Sequence, residues 1–169
     1  MLMIGALAIL AQAAVPHVTE GVSSRSECTA IRVTSPQRTG TKGGLGPFSA
    51  TQILDLRLGT ILRRELPGSH VLALKLFTPR GHLYQTLTVP FTAAGQSNGE
   101  RMVDGYPRPL REQETRPVTE QGTSGFELSA TLPVGGTAIV TNSLYGEWRV
   151  EPEIDGASCG KPTQFQINP

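Results

Sequence analysis

The stretch DGASCGK, Asp155 to Lys161, contains Gly156-Ala157-Ser158-Cys159-Gly160, which fits the G-x-S-x-G pattern of an esterase nucleophile elbow. That chemistry needs a strand–turn–helix around the serine, with an acid and a histidine later in the chain. Pro162 and the strand-patterned TQFQIN follow instead, and the last histidine is His82. Ser158 is therefore not read as a nucleophile. A phosphate loop fails as well, because Gly156 and Gly160 are one residue too close and Pro162 stands where a Ser or Thr would meet magnesium. His17, His70 and His82 do not cluster around either cysteine, so no zinc set forms. Calcium needs about six or more oxygen ligands, and no D-x-D-x-D-G loop is present. Glu151, Glu153 and Asp155 alternate along one segment and are read as a solvated sheet face. Three scattered histidines offer little general-base capacity near neutral pH. The expectation is a protein without metal, cofactor or catalytic set.

The elements that would position any site are short and alternating. CTAIRVTS (Cys28 to Ser35) has the β-branched character of a first strand. TQILDLRLGTIL places Leu54, Leu56 and Leu58 on one side and Asp55 and Arg57 on the other. HVLALKLFTP carries Leu72, Leu74 and Leu76 in step, and LYQTLTVPF carries Leu83, Leu87, Val89 and Phe91. The RGH link between them predicts a β-hairpin. Pro67, Pro79 and Pro90 leave these runs too short for stable helices. Residues 95–125 show no sustained period and are expected to be irregular, with room for one short strand around Arg101 to Val103. FELSATLPV and GGTAIVTNS read as two further strands, and TQFQIN closes with Phe165 and Ile167 inward.

In TNSLYGEWRVEPEIDG the only tryptophan, Trp148, shares parity with Val150, Pro152 and Ile154. A large ring in that company is expected to fill the core with its N–H bonded once. Tyr145, Tyr84 and Tyr106 are better placed for surface contact. Tyr106 lies in DGYPRPLRE, where Pro107 and Pro109 stiffen the backbone and Arg108 and Arg111 offer donors. Tyr106, Arg108, Arg111 and Tyr145 are the candidate binding residues.

Composition bounds the class. The chain has 169 residues, 17% charged and 38% hydrophobic, with a net charge of +1. That suits a single compact domain and lacks the dense basic stripe of a nucleic-acid binder. LMIGALAIL followed by AQA has the shape of a secretory signal peptide cleaved after Ala13, although no Lys or Arg precedes the run. The run is shorter than the ~20 apolar residues that span a bilayer. Residues 1–13 are thus expected to be a signal peptide, 14–27 a loose lead-in, and 28–169 one domain of an exported protein, periplasmic or extracellular. An isolated pair, Cys28 and Cys159, in an oxidising compartment is expected to form one disulfide.

About seven to nine short strands separated by turn signals make the arithmetic of an all-β antiparallel sandwich. Gly146, Trp148, Val150, Asp155 and Gly156, with the F-x-I strand at Phe165 to Ile167, resemble the final hairpin of secreted bacterial immunoglobulin-like domains. The resemblance covers Phe126 to Ile167, and it implies a module that binds, spaces or assembles rather than one that catalyses. The cysteines lie near the termini, unlike the intracore pair of antibody domains. The leading expectation is an exported non-catalytic binding or assembly module whose partner, unknown, would be another protein, contacted through residues 95–125. The rivals are a structural subunit of an envelope assembly that uses its sheet edges, and an enzyme of unknown class.

Overall fold

A computed structural model describes residues 27–36, 46–97, 99–120 and 122–169. The expected signal peptide and the lead-in up to residue 26 lie outside the described residues. The strands are β1 (Cys28–Thr34), β2 (Phe48–Ser49), β3 (Asp55–Leu62), β4 (Ser69–Phe77), β5 (Leu83–Thr92), β6 (Glu100–Arg101), β7 (Leu110–Arg111), β8 (Gln113–Glu114), β9 (Arg116–Glu120) and β10 (Thr123–Pro133). A single turn of helix, α1 (Ala138–Thr141), precedes β11 (Gly146–Ile154), β12 (Ala157–Ser158) and β13 (Thr163–Asn168). The protein is all-β, as its alternating patterns predict.

Two sheets enclose one core. The first has the order β1-β3-β10-β9, and the second β2-β13-β11-β4-β5-β8 with β12 beside β11; β6 and β7 pair apart. All neighbours are antiparallel except β2 with β13 and β8 with β5. In β11, Trp148, Val150, Pro152 and Ile154 are buried while the intervening residues reach the surface. Period-two alternation sends these to one face, where they meet Leu72, Leu74 and Leu76 of β4, each fully buried. Leu56, Leu58 and Leu62 of β3 and Leu128 and Leu132 of β10 supply the opposite wall. The ion pairs Lys75 Nζ–Glu153 Oε1 (2.6 Å) and Arg149 Nη1–Glu151 Oε1 (3.0 Å) occupy the outer parity, so the acidic strip of β11 is largely neutralised.

The Cys28–Cys159 disulfide fastens β1, in the first sheet, to the β12–β13 link of the second. Cys28 N–H also donates to Cys159 O at 2.8 Å. A Cβ on Gly160 would come within 2.5 Å of Cys28 O, so this corner closes only with glycine there.

Several local expectations are corrected. GGTAIVTNS forms no strand: Thr137 caps α1, its Oγ1 accepting from Ile139 N–H at 3.3 Å. Leu54 is 68% exposed, because β3 begins one residue later and Leu54 belongs to the preceding turn. Leu83 is 55% exposed, since the β4–β5 register shifts between Leu76 and Phe77. That shift lets Tyr84 meet Trp148 edge-on, ring centroids 5.2 Å apart. Residues 95–125, expected to be irregular apart from one short strand around Arg101 to Val103, contain β6 at Glu100–Arg101 and also β7, β8, β9 and the start of β10.

Thr60, in the middle of β3, is fully buried on the core-facing parity of Leu56, Leu58 and Leu62, and its Oγ1 has no hydrogen-bond partner. A buried hydroxyl without a partner costs about 1–3 kcal/mol. Thr60→Val, which keeps the shape and removes that group, is expected to raise stability by about 1 kcal/mol. A lower urea midpoint in the variant would contradict this.

Candidate functional site

The described surface holds a cleft of about 640 Å³ lined by Arg57, Ser97, Gly99, Arg111, Glu112, Gln113, Glu114, Thr115, Arg116, Glu127 and Ser129. Its origin is a parting of strands. β9 pairs with β10 from Thr123–Glu120 to Glu127–Arg116 and then stops. One residue earlier in the chain, Thr115 lies between β9 and β8, and β8 has crossed to pair with β5 at Phe91–Gln113 and Thr92–Glu114. The chain thus leaves β10 and joins the other sheet, and the gap between β10 and β8 is the cleft. Gln113 Nε2 reaches across it to donate to Ser129 O at 2.9 Å.

The wall built by residues 99–116 is held firmly. Glu112 is buried; its backbone N–H donates to Gly99 O at 2.9 Å, and its Oε1 accepts from Ser69 Oγ. Arg101 Nη1 donates to Ser69 Oγ at 2.7 Å and to His70 O at 3.3 Å. Thr115 N–H donates to Thr92 O at 3.0 Å, and Thr115 Oγ1 to Glu65 Oε1 at 2.9 Å. The same Glu65 oxygen accepts Ala94 N–H at 2.9 Å, so one carboxylate ties together the two ends of the crossing. A site walled in this way loses little conformational freedom when it binds.

The floor is the outer face of the first sheet. Arg57 Nη2 donates to Ser129 Oγ at 3.2 Å across β3 and β10. Glu127 lies over Gly59: a Cβ there would run into Glu127 Oε1. Glycine inside a strand weakens it and often marks a close approach, and here it lets the carboxylate lie against the β3 backbone.

Of the residues singled out by sequence, only Arg111 lines the cleft. Tyr106 and Arg108 lie elsewhere on the same segment, where Tyr106 N–H donates to Val103 O at 3.1 Å. Tyr145 packs against the core beside α1, its Oη 3.5 Å from Val140 O. Trp148 is fully buried between Tyr84 and Phe165, its Nε1–H donating to Leu144 O at 2.9 Å. Sequence patterning missed Arg57, Gln113, Glu127 and Ser129; the only local signal for them was a glycine at 59 inside an otherwise regular strand.

A second constellation has the look of catalysis. His70 Nδ1 sits 2.7 Å from Asp155 Oδ2, with Ser69 next to it in the chain, which imitates the orienting half of a serine triad. The geometry does not complete it. His70 Nε2 faces Pro67 O at 3.0 Å, so each ring nitrogen already meets an oxygen. Ser69 Oγ is engaged by Glu112 and Arg101. Asp155 Oδ1 also accepts Val71 N–H at 2.9 Å, which makes the group a clasp between β4 and the end of β11. The Ser158 motif sits on β12 beside the disulfide, with no helix after it.

Comparison of the chain with protein-family models, with curated proteins and with solved structures finds no match.

Proposed function

We propose that this protein is an exported, non-catalytic binding module of immunoglobulin-like sandwich architecture, and that its ligand seats in the cleft between β10 and β8. The observation that carries the reading is the lining: among the described residues, every one that lines the cleft is polar, charged or glycine, with three arginines and three glutamates. Pockets for apolar small molecules are lined mostly by hydrophobic and aromatic side chains. A cleft of this size lined by polar residues suits a ligand that keeps its own hydrogen-bonding and charged groups, such as a peptide segment of another protein.

The strand order supports the architectural part. β1-β3-β10-β9 has the order of an A-B-E-D sheet, and β13-β11-β4-β5-β8 the order of a G-F-C sheet with two added strands, save that β8 runs parallel to β5. Tyr145, just before β11, turns its Oη back toward Val140 O as a tyrosine corner does. The tryptophan and the disulfide depart from the antibody arrangement: Trp148 is on β11, and the cysteines bridge the sheet ends. A buried disulfide suits an oxidising compartment. Among the described residues no helix is long and apolar enough to cross a membrane.

The test is a backbone-amide NMR titration with short peptides of either charge sign. Shifts gathered at Gln113, Arg116, Glu127 and Ser129 are expected for those that bind. Shifts gathered at Tyr106 to Arg108, or none with any peptide, would overturn the reading.

A further inference from the structure

We infer that the cleft takes an extended acidic peptide, which adds to β10 as a strand in the place that β9 vacates. The inference rests on the proposal that the cleft is the binding site, and it is carried by the direction of backbone groups on β10. In an antiparallel ladder the N–H and C=O of one residue point to the same side, and successive residues alternate. Thr123, Gly125 and Glu127 are opposite Glu120, Val118 and Arg116 of β9. Val134 N–H, on the other parity, donates to Leu54 O on the β3 side. Ser129 O, which accepts from Gln113 Nε2, therefore points away from β3, and so do Ser129 N–H and both backbone groups of Thr131.

Beyond Glu127 no strand among the described residues pairs with this edge of β10. The Gln113 amide caps one carbonyl, and no described group takes Ser129 N–H or Thr131 N–H. An edge with unpaired donors and acceptors is a template for another strand. The neighbouring free edge is guarded differently. Pro117, opposite Phe126, lacks an N–H where β9 faces outward, which discourages addition there. The unguarded stretch is the one that opens into the cleft.

Charge selects the occupant. Of the three glutamates, Glu112 is buried and bonded to Ser69, Glu114 Oε1 is 3.4 Å from Ser97 N, and Glu127 lies against the β3 backbone at Gly59, across the ladder from Arg116. Arg57 spends one N–H on Ser129 Oγ and keeps the rest of its five-donor fork, while Arg111 and Arg116 are exposed at the rim. Formal charge in the lining balances at three of each sign, so the preference comes from position: Arg57 stands beside the unpaired stretch of β10, beyond Glu127. A residue placed opposite Ser129 on an added strand lies beside the Arg57 guanidinium, where Asp or Glu gains a forked partner and Lys meets repulsion. Among the described residues no aromatic side chain lines the cleft to stack on a sugar ring. The unpaired ladder groups are useful to a peptide backbone and to little else.

The experiment uses the full chain and three synthetic peptides of equal length. One alternates Thr with Glu, one alternates Thr with Lys, and one repeats the Thr–Glu sequence with alternate backbone nitrogens methylated. Binding is read by fluorescence anisotropy, and site occupancy by amide hydrogen exchange. The Thr–Glu peptide is expected to slow exchange at Ser129 and Thr131, and to bind more than about tenfold tighter than the Thr–Lys peptide. The methylated peptide is expected to lose binding, and Arg57→Glu or Arg116→Glu to weaken the Thr–Glu peptide by about tenfold or more. Suppose instead the Thr–Glu peptide shifts cleft residues but leaves Ser129 and Thr131 exchange unchanged, or the methylated peptide binds equally well. Strand addition is then wrong while the cleft remains the site. Equal binding of Lys and Glu peptides overturns the acidic preference, and binding outside the cleft, or none, overturns both proposals.

Discussion

Replacing Cys28 and Cys159 together with alanine is expected to lower the unfolding free energy by about 3–5 kcal/mol. The bond joins residues 131 apart in sequence, so its loss releases nearly the whole described chain in the unfolded state. It also joins the first sheet to the second at a corner where Gly160 already permits close approach to Cys28. A domain of this size has about 5–15 kcal/mol in all. The double variant should therefore unfold at a far lower denaturant concentration, with an unchanged or slightly larger slope. A midpoint within error of the parent would show that the two sheets hold together without the link.

Trp148→Ala is expected to cost about 3–5 kcal/mol, as large-to-small changes at fully buried aromatic positions do. The ring stands between Tyr84 and Phe165 at centroid distances of 5.2 and 6.3 Å, and its Nε1–H satisfies Leu144 O. Alanine would leave a cavity against both rings and a carbonyl without its donor. Trp148→Phe should cost less, because it keeps most of the contact and loses the hydrogen bond. Denaturation followed by circular dichroism checks both, since the only tryptophan is the one removed. An alanine variant as stable as the parent would mean that this side of the core collapses without loss.

The longer strands were legible because their pattern is repeated often enough to be unambiguous. Trp148, Val150, Pro152 and Ile154 repeat across nine residues of β11, and Leu72, Leu74 and Leu76 across β4. Where a strand has two residues, as β6, β7 and β8 do, alternation has nothing to repeat, and residues 95–125 therefore read as irregular. Ala138-Ile139-Val140 is a short apolar run that periodicity alone assigns to either state. The Thr137 side chain, accepting from Ile139 N–H, decides for helix.

The cleft was illegible for a different reason. It exists because the chain changes sheets at Thr115, and the partners that make it do so are distant in sequence: Thr92 O for its N–H and Glu65 for its hydroxyl. Tyr106 and Arg108 attracted notice by residue type, while the cleft is lined by Arg57, Gln113, Glu127 and Ser129 beside Arg111, brought together by pairing alone. The match to G-x-S-x-G shows the converse, a local pattern whose surroundings supply none of its chemistry.

Strand addition requires the edge of β10 to be open between Glu127 and Pro133, and native-state amide exchange measures this directly. Gly125 and Glu127, bonded to β9, and Leu128 and Ala130, facing β3, should be protected, while Ser129 and Thr131 between them exchange orders of magnitude faster in the unliganded protein. Uniform protection from Gly125 through Leu132 would mean that another part of the chain already occupies that edge, and no ligand strand could dock there.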